Sequence, residues 1–252
     1  MFAKIKNSRY MQYIAALTAT LSNAAAATYA IWPSPVLSLL QSEDSPVGRP
    51  ISDDEGSWVV SLTKLAILPA AIVAAFLVER IGRKKTLLIA GVLLFAPWFL
   101  VIFGTNIWIL YVARFIGGAG NGFVVVGCSI YNGEVAEKDI RGRLGSTLII
   151  LKLVGSLVVL CVGPYVSYTV LAVVCAILPI IFVGLYVFMP ESPYYLVKVN
   201  QKEEAEKNLR ILSSDLVDDK FIRDRITEIE KSVEEDMQNK TTLWEFMTNS
   251  QG

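Results

Sequence analysis

Six stretches of this chain are each long and apolar enough to cross the hydrocarbon core of a bilayer, which takes about 20 residues of helix. They cover residues 10–32, 58–78, 86–103, 107–131, 144–161 and 166–189. Because no water reaches the bilayer core, each stretch must satisfy its own backbone hydrogen bonds, and none shows the alternation typical of a barrel strand. The sequence therefore predicts an all-α membrane protein with six transmembrane helices.

The composition excludes several classes of protein. Hydrophobic residues make up 54% of the chain and charged residues only 18%, which is wrong for a soluble globule. The formal net charge of zero gives no basic surface for a nucleic-acid partner. Histidine, the commonest metal ligand and general base, is absent, and the three cysteines show no metal-binding spacing. We therefore predict no catalytic residue, no metal site and no cofactor.

Basic residues alternate from one connection to the next. They concentrate before the first stretch and in the second and fourth connections, at residues 1–9, 79–85 and 138–143, whereas the first connection, 41–57, is mainly acidic. Lysine and arginine favour cytoplasmic connections. The pattern predicts a multi-pass protein with both termini in the cytoplasm, and we expect it in the plasma membrane.

The composition changes after residue 189, where charged and soluble-looking segments begin. Within residues 221–237, isoleucine and valine recur on one helical stripe, and residues 201–212 show the same periodicity. The sequence thus predicts a cytoplasmic N-terminus over 1–9, a membrane domain over 10–189 and amphipathic cytoplasmic helices over 190–252, lying against the membrane domain. A disordered charged tail is the alternative interpretation.

Three connections place charged motifs at one predicted membrane face. The second reads Glu-Arg-Ile-Gly-Arg-Lys-Lys over 79–85, the fourth contains Glu134 and the pair Arg141-Gly142, and Pro-Glu-Ser-Pro follows the sixth stretch at 190–193. A turn as short as the second needs a glycine that can leave helical geometry. These charges either pair across helix ends or merely anchor those ends at the interface.

Together the three motifs resemble those of the sugar porters of the major facilitator superfamily. The resemblance runs from about residue 11 onward, and Trp-Pro-Ser-Pro at 32–35 with Pro-Glu-Ser-Pro-Tyr-Tyr-Leu at 190–196 is similar to the insect trehalose and glucose transporter-like branch. It implies the N-terminal six-helix half of a carrier that binds sugar between two halves. It also implies a cytoplasmic charge network made of Glu79, Arg80, Arg83, Glu134, Arg141 and Glu191, with Gly82 and Gly142 allowing close approach.

Polar and aromatic residues within the spans are candidates for a substrate cavity. In the first span these are Asn23, Tyr29 and Trp32, near two prolines at 33 and 35. The prolines either free polar groups toward a cavity or simply end the helix. In the fifth span, Lys152 shares a helical face with Ile149, the position where many sugar porters offer a glutamine to the sugar. A lysine at mid-span should face the bundle interior or snorkel to the interface, and our hypothesis is that Lys152 lines the cavity.

The glycines of the fourth span are better explained by packing. Gly118 and Gly122 form a G-x-x-x-G pair, which lets neighbouring helices approach closely.

Two kinds of function remain open from the sequence. The first is facilitated diffusion of a hexose or trehalose by alternating access, in which this chain is an incomplete half that needs the C-terminal six-helix half. The second is a non-transporting short form that associates with a full-length carrier. Within the same superfamily, a carrier of another small solute is a further alternative. In each case the lipid bilayer surrounds the six spans.

Overall fold

The computed structural model describes residues 10–136, 138–213 and 219–249, with side chains to residue 238 except those of 138 and 139. The predicted cytoplasmic N-terminus, residues 1–9, lies outside the described residues. The described residues form two compact units, one within Tyr13–Met189 and a second made of the described parts of Met1–Gln12 and Pro190–Gly252.

The first unit is built from long apolar helices. They are α1 (Tyr10–Ile31), α2 (Pro33–Leu40), α3 (Asp53–Ile81), α4 (Arg83–Phe103), α5 (Ile107–Val135), α6 (Lys138–Val162) and α7 (Tyr168–Tyr186), with a 3₁₀ turn at Gly163–Tyr165. Helix α2 continues α1 with only a break at the proline, so the described residues contain six helices long and apolar enough to cross a membrane. The prediction of six helical spans is confirmed.

Helix α3 begins five residues before the predicted start of its span. The Ser52 hydroxyl accepts from the backbone N–H of Glu55, and the Glu55 carboxylate accepts from the backbone N–H of Ser52, which together form a capping box. Arg49 also donates to Glu55, and this hydrogen bond raises the pKa of the Arg49 guanidinium. The predicted acidic connection therefore shortens to residues 41–52.

Helix α5 packs closely against α3 because glycines line the contact. A Cβ atom on Gly118 would lie 2.4 Å from the carbonyl oxygen of Thr63, and one on Gly122 would lie 2.6 Å from that of Ile67. Both neighbours are main-chain atoms of α3, so the two helices approach until their backbones touch. The predicted packing role of Gly118 and Gly122 is confirmed.

The outer faces of α3 and α6 are apolar. Exposed large hydrophobic side chains include Leu65, Leu68, Ile72 and Phe76 on α3, and Ile150, Leu153, Leu157 and Leu160 on α6. Contiguous apolar surface on this scale marks contact with a membrane or with another protein rather than with water. The first unit therefore has the surface of a multi-pass membrane protein.

The second unit contains three helices over its described part: α8 (Pro193–Lys198), α9 (Lys202–Leu212) and α10 (Asp219–Asn249). Their apolar stripes meet in one cluster, which contains Ala205, Leu209, Ile222, Ile226 and Val233. The amphipathic periodicity of both segments is thus confirmed. Arg210 donates to Asp219 at 2.7 Å and lowers the pKa of that carboxyl, which ties the end of α9 to the start of α10.

Candidate functional site

The turn between α3 and α4 consists of a single residue, Gly82. Its φ of 99° lies in the region that favours glycine, and it lets α4 start immediately after α3 ends. The Thr86 hydroxyl donates to the Gly82 carbonyl at 2.7 Å and so fixes the first turn of α4. This geometry places Arg83, the first residue of α4, inside the unit rather than on its surface.

Arg83 and Glu134 form a buried ion pair between α4 and α5. Arg83 donates to the Glu134 carboxylate through Nε at 2.8 Å and through Nη2 at 2.6 Å. The side chain of Arg83 is 2% exposed and that of Glu134 is 14% exposed. The Arg83 Nη1 donates to the Val78 carbonyl at 3.0 Å near the end of α3. One guanidinium therefore joins the ends of three helices.

Glu79 completes the cluster from the last turns of α3. Its carboxylate lies 3.5 Å from Arg83 Nη2 and is 32% exposed, so it is the weaker partner of the same guanidinium. The neighbouring Arg80 places its guanidinium 4.2 Å from the centre of the Phe76 ring. We name Glu79, Arg83 and Glu134 the charge cluster.

Of the other residues of the predicted network, Arg141 and Gly142 are on α6 and Glu191 is in the second unit. Arg141 is exposed on α6, and a Cβ atom on Gly142 would meet nothing within 4 Å. Glu191 belongs to the second unit, where its carboxylate accepts from the backbone N–H of Ser192 and its carbonyl accepts from Asn208. Within the first unit, the structure thus brings Glu79, Arg83 and Glu134 together around the Gly82 turn.

The predicted cavity residues divide into two groups. On α1, Tyr29 is fully buried and donates to the Ala113 carbonyl at 2.6 Å, while the half-buried Asn23 donates to the Cys128 sulfur at 3.1 Å. Trp32 is also fully buried, and it packs edge-to-face against Trp98 and Tyr168. By contrast, Ile149 and Lys152 are exposed on α6. Their place in a substrate cavity stays a prediction.

Arg114 on α5 is a buried charge that the sequence analysis did not select. It is fully buried, its Nε donates to the Val59 carbonyl at 2.9 Å, and its Nη1 donates to the Tyr29 carbonyl at 2.7 Å. An arginine within an apolar stretch is itself a signal, because such a charge is costly in a bilayer and needs partners.

The family follows from comparison with known proteins. A family model described as "Sugar (and other) transporter" matches residues 5–251 of this chain. The chain belongs to the sugar transporter family. Membership confirms the resemblance to sugar porters and the prediction of a membrane carrier family rather than an enzyme.

Two insect proteins are among the relatives of this chain. The chain is 30% identical over 203 residues to the facilitated trehalose transporter Tret1 of Polypedilum vanderplanki, covering 81% of this chain and 40% of the relative. It is 27% identical over 234 residues to a Tret1-2 homologue of Drosophila sechellia, covering 93% of this chain and 46% of the relative. The chain thus spans less than half the length of these relatives.

Solved structures show that the sugar transporter chain has the major facilitator fold. The proton:xylose symporter XylE, bound to 6-bromo-6-deoxy-D-glucose, superposes with a TM-score of 0.72 at 21% identity. The superposition covers 95% of this chain and 55% of the symporter. The fold prediction, six helices in the arrangement of one half of a major facilitator protein, is confirmed.

Proposed function

We propose that the six-helix unit works in the facilitated diffusion of a hexose or trehalose by alternating access, together with a second six-helix half. The observation that carries the proposal is the buried Arg83–Glu134 pair at the Gly82 turn. Two comparisons support it: the family model matches residues 5–251, nearly the whole chain, and the insect relatives carry the name trehalose transporter.

The charge cluster serves as the inner gate of this half. Arg83 ties the end of α3, the start of α4 and the end of α5 at one level. Because an isolated buried charge is strongly unfavourable, the pair is stable while it is buried and would separate only where water reaches both side chains. The exposed Arg141 supplies a cation with which the second half pairs when the inner side closes.

The distribution of carboxylates supports facilitated diffusion rather than proton coupling. Over the described side chains of the six helices, aspartate and glutamate occur only near helix ends, at 53–55, 79 and 134. Proton relays through a membrane typically use an acid deep within a span. The absence of such an acid among the described side chains of the six helices favours movement of the substrate down its gradient.

The orientation of the unit is proposed from the basic residues of the Gly82 turn. We place the Gly82 turn at the cytoplasmic face of the plasma membrane, because its basic residues match the other basic connections. Both termini of the chain are then cytoplasmic, and the capped start of α3 faces outward.

Transport is tested by joining the chain to a second half. The chain is co-expressed with the part of the Polypedilum vanderplanki relative that follows the matched region, in cells that take up neither trehalose nor glucose. We expect uptake of labelled sugar only when both pieces are present, since a cavity between two halves cannot form from one of them. Initial uptake rates with each piece alone provide the control.

Competition and assembly decide between the alternatives. Excess unlabelled sugar is expected to suppress uptake, whereas suppression only by a non-sugar solute would point to another substrate within the family. If the two pieces co-purify from the membrane but no sugar enters the cells, transport is the wrong function and a non-transporting partner of a full-length carrier is favoured.

A further inference from the structure

Arg114 is a buried intramembrane cation whose contacts are not those of a salt bridge. Within residues 10–136, 138–213 and 219–249, no aspartate or glutamate pairs with it, and its guanidinium donates to two main-chain carbonyls, those of Val59 and Tyr29. The faces of the Tyr29 and Trp32 rings lie 4.7 and 5.8 Å from its Cζ. Carbonyl dipoles and aromatic faces therefore stabilise this charge.

One of the two carbonyls lacks its helical partner because of a proline. In a helix the carbonyl of residue i accepts from the N–H of residue i+4, and for Tyr29 that residue is Pro33, which has no N–H. The chain nevertheless stays helical across the break, since Trp32 has φ −47° and ψ −38° and its N–H donates to the Thr28 carbonyl. The Tyr29 carbonyl is thus left in helical position without an N–H partner, and Arg114 occupies its hydrogen bond.

We infer that Arg114 acts as an intramembrane cap for the proline break in the first span. A buried carbonyl without a donor is unfavourable, most of all where no water can replace the missing N–H. Arg114 supplies this donor from α5. In the opposite direction, the Tyr29 hydroxyl donates to the carbonyl of Ala113, the residue before Arg114. Through Val59 the same guanidinium also holds α3.

Arg114 is accordingly a positioning residue for the α1–α2 junction. It supplies the donor that Pro33 removes from the first span, and its contacts help to keep Tyr29 and Trp32 in the core. The inference concerns the fold of this chain and does not rest on sugar transport, so a failed uptake experiment leaves it standing.

A cycle of variants distinguishes a cap from ordinary core packing. Pro33→Ala restores the missing N–H, so it should stabilise the chain most when Arg114 is replaced. We expect Pro33→Ala to raise the thermal midpoint of the Arg114→Met chain by about 3 to 8 °C more than that of the unmodified chain, from the usual strength of a charge-assisted hydrogen bond. The midpoint is measured on purified chain in detergent.

Pro179→Ala in α7 is the matched control. Pro179 is also buried inside a helix, but the carbonyl that it leaves belongs to Cys175, which is not bonded to Arg114. Pro179→Ala should shift the thermal midpoint by the same amount whether residue 114 is arginine or methionine. If Pro33→Ala shifts both backgrounds equally, or if Pro179→Ala rescues as well, Arg114 is not a cap.

A second variant covers the case in which Arg114→Met does not accumulate. Arg114→Leu also removes every donor at this position, and the yield of monodisperse protein then replaces the midpoint. Pro33→Ala is expected to raise that yield severalfold while Pro179→Ala leaves it unchanged. If Pro33→Ala and Pro179→Ala give equal yields, the inference is overturned.

Discussion

Replacing Glu134 with alanine is expected to lower the free energy of unfolding by about 3 to 5 kcal/mol, the usual cost of removing one partner from a buried ion pair. The physical reason is the position of Arg83, whose side chain is only 2% exposed and donates to Glu134 through both Nε and Nη2. Without the carboxylate, the nearly buried guanidinium loses its two short charge-assisted hydrogen bonds, and Glu79, 3.5 Å away and 32% exposed, is a weaker partner.

Denaturant or thermal unfolding in detergent measures this effect. Two further variants test whether the loss comes from the buried pair. Glu79→Ala should cost about 1 kcal/mol or less, because a part-exposed pair at 3.5 Å is weak. Replacing Arg83 and Glu134 together with methionine and leucine should recover most of the loss, because no unpaired charge is then buried. Equal losses from Glu134→Ala and Glu79→Ala would show that the pair does not hold the three helix ends.

Gly118→Ala is expected to lower the free energy of unfolding by about 2 to 3 kcal/mol, a typical cost of overpacking a well-packed contact. The added Cβ would lie 2.4 Å from the Thr63 carbonyl oxygen and 2.8 Å from the Thr63 Cα. Both atoms are main chain, so no side chain can rotate away and α3 itself must move. Such a shift would also disturb the Thr63 hydroxyl, which donates to the Arg114 carbonyl.

The same substitution at Gly184 provides the control. A Cβ atom there would meet nothing within 4 Å, and the site lies within α7. Gly184→Ala should therefore stabilise the chain by up to about 1 kcal/mol, the difference in helix propensity between the two residues. Opposite signs at the two glycines are the expected result. Stabilisation at both would mean that α3 and α5 are not packed backbone to backbone.

The helical spans could be predicted from the sequence because the bilayer imposes their length and polarity. Their ends could not be placed as well, since caps decide them. Helix α3 starts at Asp53 because Ser52 and Glu55 form a capping box, whose Ser-x-x-Glu pattern was readable but lay within an acidic stretch interpreted as a loop.

The candidate site was predictable in part. The motifs at the Gly82 turn and around Glu134 identified the residues of the buried pair, but side-chain distances depend on helix packing that one sequence does not specify. Arg114 was missed for another reason: its partners are main-chain carbonyls, one of them left open by Pro33, and a search for opposite charges cannot find such partners.

The sidedness of the charge cluster tests the account most directly. In a chain carrying Cys161→Ser, which removes the exposed native thiol, a single cysteine is introduced as Asp44→Cys or as Lys85→Cys, both at exposed positions. We predict that a membrane-impermeant maleimide labels Asp44→Cys on intact cells and labels Lys85→Cys only after the membrane is opened. Labelling of Lys85→Cys on intact cells would place the Gly82 turn outside and contradict the proposed inner gate.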